Sequence, residues 1–175
     1  MKMQKVSKSD SNICQTAGGI LIHQGKILLI KHKKLGVWLN PGGHIEQNEM
    51  PHQAAEREFW EETGIKVKAI SMLPNNIADT TQSEYLPVHV YTNIHWISTQ
   101  NYQDRLAGKN VKGRGCERHL CSFYLVKPVN SVKYKQNIEE TDGIGWFTLE
   151  EVNDLETYPE VKQEVQFVFE LIAPS

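Results

Sequence analysis

The amino-acid sequence predicts a layered sandwich of the α+β or α/β class. Three observations carry that prediction: apolar runs of strand character come in groups, few helical patterns separate them, and an amphipathic stretch closes the chain. With 175 residues the chain is most simply one domain with a substantial core. Residues 1–13 are polar and read as a loose tail, and residues 14–175 as the domain.

Taken in order, "TAGGILIH" and "KILLIKH" are apolar runs separated by "QGK", which reads as a hairpin of two strands. Gly18 and Gly19 form neither a dinucleotide fingerprint nor a phosphate loop, and are expected to ease a strand bulge. In "GVWLNPGGH", Pro41, Gly42 and Gly43 break regular structure and make a loop. A helix is expected to start at Met50–Pro51, because proline suits a first turn, and to stop at Gly64, a good C-cap. Residues 65–72, 86–97 and 119–127 have strand character. Between the last two lies "STQNYQDRLAGKNVKGRGCER", a basic connection long enough to suggest a functional or mobile loop. "GIGWFTLEEV" is a strand running into a helix, with Thr148 and Glu151 spaced as a capping box. "PEVKQEVQFVFELI" is an amphipathic helix with Val161, Val165, Val168 and Ile172 along one side.

Composition narrows the function classes. A net charge of −2 gives no sign of a nucleic-acid or membrane-surface protein. The first dozen residues lack the apolar run of a signal peptide, and no apolar stretch approaches the roughly 18 residues of a membrane span. Three cysteines, an odd count, argue against a disulfide framework and fit a reducing compartment, so a cytoplasmic protein is expected. Cys116, His119 and Cys121 lack both a standard zinc spacing and a fourth ligand.

The chemistry concentrates in "EREFWEETGI". Glu58, Glu61 and Glu62 stand at i, i+3 and i+4 and so project from one helix face, with Ala54 and Ala55 leaving room beside them. Without a cation such carboxylates repel and their pKa values rise. Bound Mg²⁺ or Mn²⁺ reverses the sign, since hard divalent ions take oxygen ligands, typically together with substrate phosphate oxygens. Phe59 is expected in the core, Trp60 partly exposed or under the tail. Glu56 is expected on the other side of the helix, meeting only water.

With its flanks the stretch becomes more specific. Gly43 is followed after five residues by Glu49, and after seven more by Arg57-Glu58-Phe59, Trp60, Glu61-Glu62, Thr63, Gly64 and Ile65. This resembles the Nudix signature, G-x5-E-x7-R-E-U-x-E-E-x-G-U with U bulky and apolar, at every fixed position. Phe59 is a mild departure from the usual aliphatic residue. Ordinary residue frequencies put so many fixed matches below about one in a million by chance. The strand pattern around the motif extends the likeness over roughly residues 14 to 172.

The resemblance implies an α/β/α sandwich with a mixed central β-sheet, the motif helix on one side and the C-terminal helix on the other. It implies Mg²⁺- or Mn²⁺-dependent cleavage of a phosphoanhydride in a nucleoside diphosphate linked to some group X. Residue by residue, Glu58, Glu61 and Glu62 match the metal-binding glutamates, with the Gly43 carbonyl as a further ligand. Glu49 and Arg57 match a pair that pins the loop to the helix and orients the ligands. Glu140, six residues before Trp146, resembles a loop glutamate of triphosphate-cleaving relatives, which serves as base or added ligand. The catalytic set is therefore Glu49, Arg57, Glu58, Glu61 and Glu140. Glu46 matches an acidic position that helps hold metal or substrate.

His95 and His119 read first as satisfied sheet histidines, yet they resemble a subgroup with histidines facing the substrate cleft. His119 alternates with Cys121 and Phe123 on one sheet face. Of the basic loop residues Arg105, Lys109, Lys112, Arg114 and Arg118, one or two are candidates to clamp phosphate, Arg114 foremost. The leading substrate is a nucleoside triphosphate, oxidised forms included, with an ADP-ribose or sugar-nucleotide substrate as the alternative. A non-catalytic nucleotide-binding module and an isoprenoid-diphosphate isomerase are the other readings. The intact motif speaks against the first, and no convincing extra cysteine and histidine positions support the second. Many family members form homodimers, and nothing in the sequence fixes an interface.

Overall fold

The structure, a computed structural model, describes residues 11–72, 77–109 and 115–173. Along the chain run β1 (Ile13–Ile20), β2 (Ile22–His23), β3 (Lys26–His32), β4 (Trp38–Leu39), β5 (Gly42–His44) and helix α1 (Pro51–Thr63). Then come β6 (Val67–Ile70), β7 (Tyr91–Trp96), α2 (Thr99–Leu106), β8 (Arg118–Pro128), β9 (Thr141–Phe147), α3 (Leu149–Asp154) and α4 (Pro159–Ile172).

The strands make two sheets. In the first, β1 lies between β5 and β8, and the far edge of β8 carries β7 at one end and β6 at the other. Only the β1–β8 pair is parallel there, so the sheet is mixed. In the second, β3 pairs antiparallel with β9 along one edge and with β2 and β4 along the other. Helix α1 buries Ala54, Ala55 and Phe59 against Ala17, Leu21, Leu28, Tyr124 and Val126. On the other side Val152, Val161, Val165 and Val168 of α3 and α4 pack on Ile20, Ile27 and Leu29. The two helical layers enclose the strands, which is the α/β/α arrangement.

Local chemistry explains the boundaries. Helix α1 begins where Pro51 fixes its first turn and Gln53 Oε1 accepts from Met50 N at 3.0 Å. It ends at Gly64, left-handed at φ 72°, whose N–H closes on Trp60 O at 2.7 Å. The capping box on α3 is present: Glu151 N donates to Thr148 Oγ1 and Thr148 N to Glu151 Oε2. Gln24 and Gly25, at φ 50° and 73°, form the two-residue turn that joins β2 to β3.

Several expectations are corrected. The run "TAGGILIH" is not one strand of a hairpin; it is cut at buried Leu21, where the chain leaves the first sheet for the second. Gly18 and Gly19 do not mark a bulge, for β1 runs in unbroken register from Ile13↔Arg118 to Ile20↔Leu125. They make room: a Cβ on Gly18 would stand 2.7 Å from the Phe123 ring, and one on Gly19 2.7 Å from the Phe59 ring. The long connection after β7 contains α2, capped by Ser98 Oγ accepting from Asn101 N at 3.1 Å.

Arg105 of α2 forks onto fully buried Glu117, with Nε to Oε1 at 3.0 Å and Nη2 to Oε2 at 2.6 Å. A buried carboxylate needs such partners, and Asn12 N supplies a third bond at 3.0 Å. The argument from an odd cysteine count is also overturned, because Cys14 and Cys116 are joined as a disulfide across 102 residues. The parallel β1–β8 pairing sets Cys14 opposite His119 and so brings Cys116 over it, while the third cysteine, Cys121, stays buried and free. Among the described residues no helix is long and apolar enough to cross a membrane.

Candidate active site

The site is assembled where β5 is squeezed between β1 and α1. A Cβ on Gly42 would stand 2.7 Å from Gly18 Cα, and one on Gly43 would run into the Glu58 carboxylate. Two glycines are therefore required for the loop to lie against the acidic helix face. Gly19 N donates to Pro41 O at 2.9 Å and fixes the approach.

Arg57 organises what the loop and helix bring together. Its Nε donates to Glu49 Oε1 at 2.9 Å and its Nη2 to Glu49 Oε2 at 3.0 Å. Nη2 also reaches His44 O at 2.9 Å, and Nη1 bridges Glu58 Oε1 at 2.9 Å and Glu61 Oε2 at 3.1 Å. All five guanidinium protons are thus spoken for, one on Nε and two on each Nη. The contact between Glu49 and Arg57 that the resemblance implies is present. Glu49 Oε2 also accepts from the backbone N of exposed Glu46, closing the loop on itself. The bond from Arg57 holds the Glu49 carboxyl below its usual range, and Glu49 in turn raises the arginine.

Glu62 is the most buried carboxylate of the helix, 4% exposed, and accepts from Gly42 N at 2.9 Å. Burial pushes its pKa up to about 8, against the Gly42 bond and with help from Glu58, Glu140 and Glu61. Burial also raises Glu58, opposed by Arg57 and assisted by Glu61 and Glu140. Glu140 lies on an exposed turn before β9, near enough for its charge to act on both glutamates. Four carboxylates therefore face one another beside a single arginine. Oxygen donors held at an energetic cost in the absence of a cation are what a hard divalent ion would relieve, so Glu58, Glu61, Glu62 and the Gly43 carbonyl could hold one.

The remaining candidates divide. His95 and His119 are Cα partners across β7 and β8, with ring centroids 5.5 Å apart. His95 Nδ1 pairs with Asn93 Oδ1 at 2.9 Å. The His119 ring also meets His44 edge-on at 5.0 Å. Burial, then His44 and His95, press the His119 pKa down to about 4. Arg114 and Lys112 lie outside the described residues. Arg105 pairs with Glu117 and Lys109 with Asp104, and the Arg118 guanidinium lies over the Trp96 ring at 5.1 Å. Glu56 is not left to water: it accepts from Ala69 N at 2.9 Å and Lys68 Nζ at 2.7 Å, tying α1 to β6. Trp60 is about half exposed, as one of its two expected positions allowed.

Sequence reasoning missed His44, whose backbone O accepts from Arg57, and the approach of Cys14 and Cys116 to its ring. The signal available for His44 was its place beside Gly43. Cys14 gave none, because its neighbours come from β5 and from the chain leading into β8.

The sandwich, with its glycine loop against an acidic helix and its carboxylates gathered around one arginine, presents a set of hard oxygen donors of the kind that suits a divalent cation. The NUDIX domain model matches residues 14–168, and the chain belongs to the NUDIX family. It is 35% identical over 65 residues to a MutT-like protein of Streptomyces ambofaciens, a segment covering 37% of this chain and 42% of that one. It is 38% identical over 55 residues to the phosphatase NudJ of Escherichia coli strain K12, covering 30% of this chain and 36% of NudJ. The matches thus span less than half of either relative. The fold is similar to that of a NUDIX-family hydrolase from Clostridium perfringens, with a TM-score of 0.67 at 22% identity over 91% of this chain and 97% of the other.

Proposed function

We propose that this chain is a Mg²⁺- or Mn²⁺-dependent pyrophosphohydrolase. It would cleave a nucleoside diphosphate linked to X, with a nucleoside triphosphate as the leading substrate. Water and the triphosphate then give a nucleoside monophosphate and pyrophosphate. The observation that carries the reading is the Arg57 hub, which holds Glu49, Glu58 and Glu61 in one array beside buried Glu62. The names of relatives that include a phosphatase and a hydrolase agree with it.

In this reading Glu58, Glu61, Glu62 and the Gly43 carbonyl hold the cation. When bound, it neutralises phosphate charge and lowers the pKa of attacking water. Arg57 keeps the Glu58 and Glu61 carboxylates in fixed rotamers, so the site is ordered before substrate arrives. Gly42 N–H aims Glu62 inward. Glu140, on the exposed turn before β9, is assigned as proton acceptor for the water or as an added ligand. Glu46 and His95 face solvent and are retained as substrate contacts.

We place the domain boundary near residue 14, where the family match begins, and the protein in the cytoplasm, a compartment in which the Cys14–Cys116 disulfide would be open to reduction. Incubation with nucleoside triphosphates, ADP-ribose, dinucleoside polyphosphates and sugar nucleotides, each with and without Mg²⁺, tests the proposal. Metal-dependent release of pyrophosphate from a triphosphate is expected. Preferential cleavage of ADP-ribose would replace the leading substrate, and no turnover of any member would favour a binding module.

A further inference from the structure

Outside the carboxylate site, a second cluster gathers ligands of a different kind. Cys14 on β1, Cys116 just before β8 and His44 at the end of β5 bring one donor atom each within 4.8 Å of one another. Cys116 Sγ and His44 Nε2 are 3.4 Å apart. Two donors at tetrahedral angles, with a metal–sulfur bond near 2.3 Å and a metal–nitrogen bond near 2.05 Å, stand about 3.5 Å apart. The observed spacing, a hydrogen-bond contact in the oxidised state, also matches that of two ligands on one ion. His119 is the Cα partner of Cys14, and its ring meets that of His44 edge-on at 5.0 Å. Its Nε2 is buried and has no hydrogen-bond partner among the described residues, an uncommon state for an imidazole nitrogen. His95, the other ring nearby, already has Asn93 as a partner.

We propose that, with the disulfide reduced, Cys14, Cys116, His44 and His119 form a Cys₂His₂ site for a zinc-class divalent ion. The donors are two thiolates and two imidazoles, which suit a borderline-soft cation and do not suit Mg²⁺. The site is thus separate in chemistry from the all-oxygen set around Glu58.

The disulfide and the metal exclude each other. Opening the Cys14–Cys116 bond takes two electrons and two protons, which a dithiol reductant supplies as it is itself oxidised to a disulfide. Metal binding then displaces the two thiol protons into solvent. The sulfurs must separate to about 3.8 Å in a tetrahedral set, and His119 must turn its orphaned nitrogen toward them. The site would fasten β5 to β1 and β8. His44 is the link to the other centre, for its backbone O accepts from Arg57 while its side chain belongs to this cluster.

The test uses the full chain, reduced with a dithiol, freed of reductant under anaerobic conditions and titrated with Co²⁺ in excess Mg²⁺. Excess Mg²⁺ occupies oxygen sites, and a thiolate-to-cobalt charge-transfer band reports sulfur ligation alone. We expect about one equivalent of Co²⁺ per chain, displaced by Zn²⁺, and no band in oxidised protein. Cys14→Ser and Cys116→Ser should each weaken the band and lower Zn²⁺ affinity by at least about a hundredfold, with His44→Gln and His119→Gln losing about tenfold or more. Circular dichroism of each variant shows that it is folded. Reduced protein without a charge-transfer band would overturn the proposal, as would folded cysteine variants that retain full Zn²⁺ affinity. A band unaffected by His119→Gln would remove the fourth ligand and with it the Cys₂His₂ assignment.

Discussion

Arg57 and Glu49 are joined side-on by two parallel hydrogen bonds of 2.9 and 3.0 Å. Both side chains are largely shielded, at 22% and 14% exposure, so the pair is better placed than a typical surface ion pair. The fork locks the guanidinium plane, and the plane in turn sets where Nη1 meets Glu58 and Glu61. Lysine keeps the charge but cannot reproduce that geometry. Arg57→Lys is expected to lower kcat about a hundredfold with the fold retained, since misplacement of reacting groups by about an ångström costs that much. Steady-state hydrolysis in saturating Mg²⁺ measures it, and a near-wild-type kcat would show that the fork does not position the site.

Glu62 gives a pH dependence with a definite sign. Its folded pKa of about 8 lies above its ordinary value of 4.5, so between these limits the folded state binds more protons than the unfolded one. Stability of the metal-free protein should fall as pH rises through this window, by at most about 1.4 kcal/mol per pH unit. Mg²⁺ or Mn²⁺ held by the ionised carboxylates should flatten the trend, because binding to the folded state stabilises it. Urea unfolding of wild type and Glu62→Gln between pH 6.5 and pH 8, with and without Mg²⁺, decides the matter, since below that window the lowered His119 acts with the opposite sign; a metal-free wild-type stability that rises with pH relative to Glu62→Gln would contradict the assignment.

The fold was legible where local chemistry and tertiary contacts agree. Pro51 and Gly64 bounded α1, Thr148 and Glu151 marked α3, and the valines of α4 marked its buried face. It was illegible where the deciding partner is distant in sequence. Ile20, Leu21 and Ile22 form one apolar run, and nothing in it says that the chain changes sheets at Leu21. Helix α2 offers only Tyr102 and Leu106 as apolar residues, and its buried anchor is the Arg105–Glu117 pair, a partner that lies beyond the helix. Within the site, spacing alone identified the motif carboxylates and Arg57, whereas the meeting of Cys14, Cys116 and His44 depends on strand order.

Glu56 illustrates the same limit and supplies a test. It had been expected to meet only water, yet it holds the backbone N–H of Ala69 at 2.9 Å. Glu56→Ala should lower stability by about 1–3 kcal/mol through the unpaired amide, while leaving kcat unchanged. Chemical denaturation and a rate assay on the same sample separate the two effects.

Gly19 and Phe59 are coupled by space alone. A methyl on residue 19 would stand 2.7 Å from a ring that is fully buried, so one of them must shift. Gly19→Ala should cost about 1–3 kcal/mol, and the cost should shrink when Phe59→Leu removes the ring. A double-mutant cycle reads the coupling; additive effects would mean that the ring yields freely.

The central claim is that the carboxylates around Arg57 form a cation-dependent hydrolytic centre. Its most direct test compares wild type with Glu61→Gln, an isosteric change at a half-exposed position that leaves the core intact. On the best nucleotide substrate in Mg²⁺, kcat should fall at least about a hundredfold, while the unfolding midpoint in metal-free buffer is unchanged or higher. A folded Glu61→Gln protein that turns over at the wild-type rate would contradict the account.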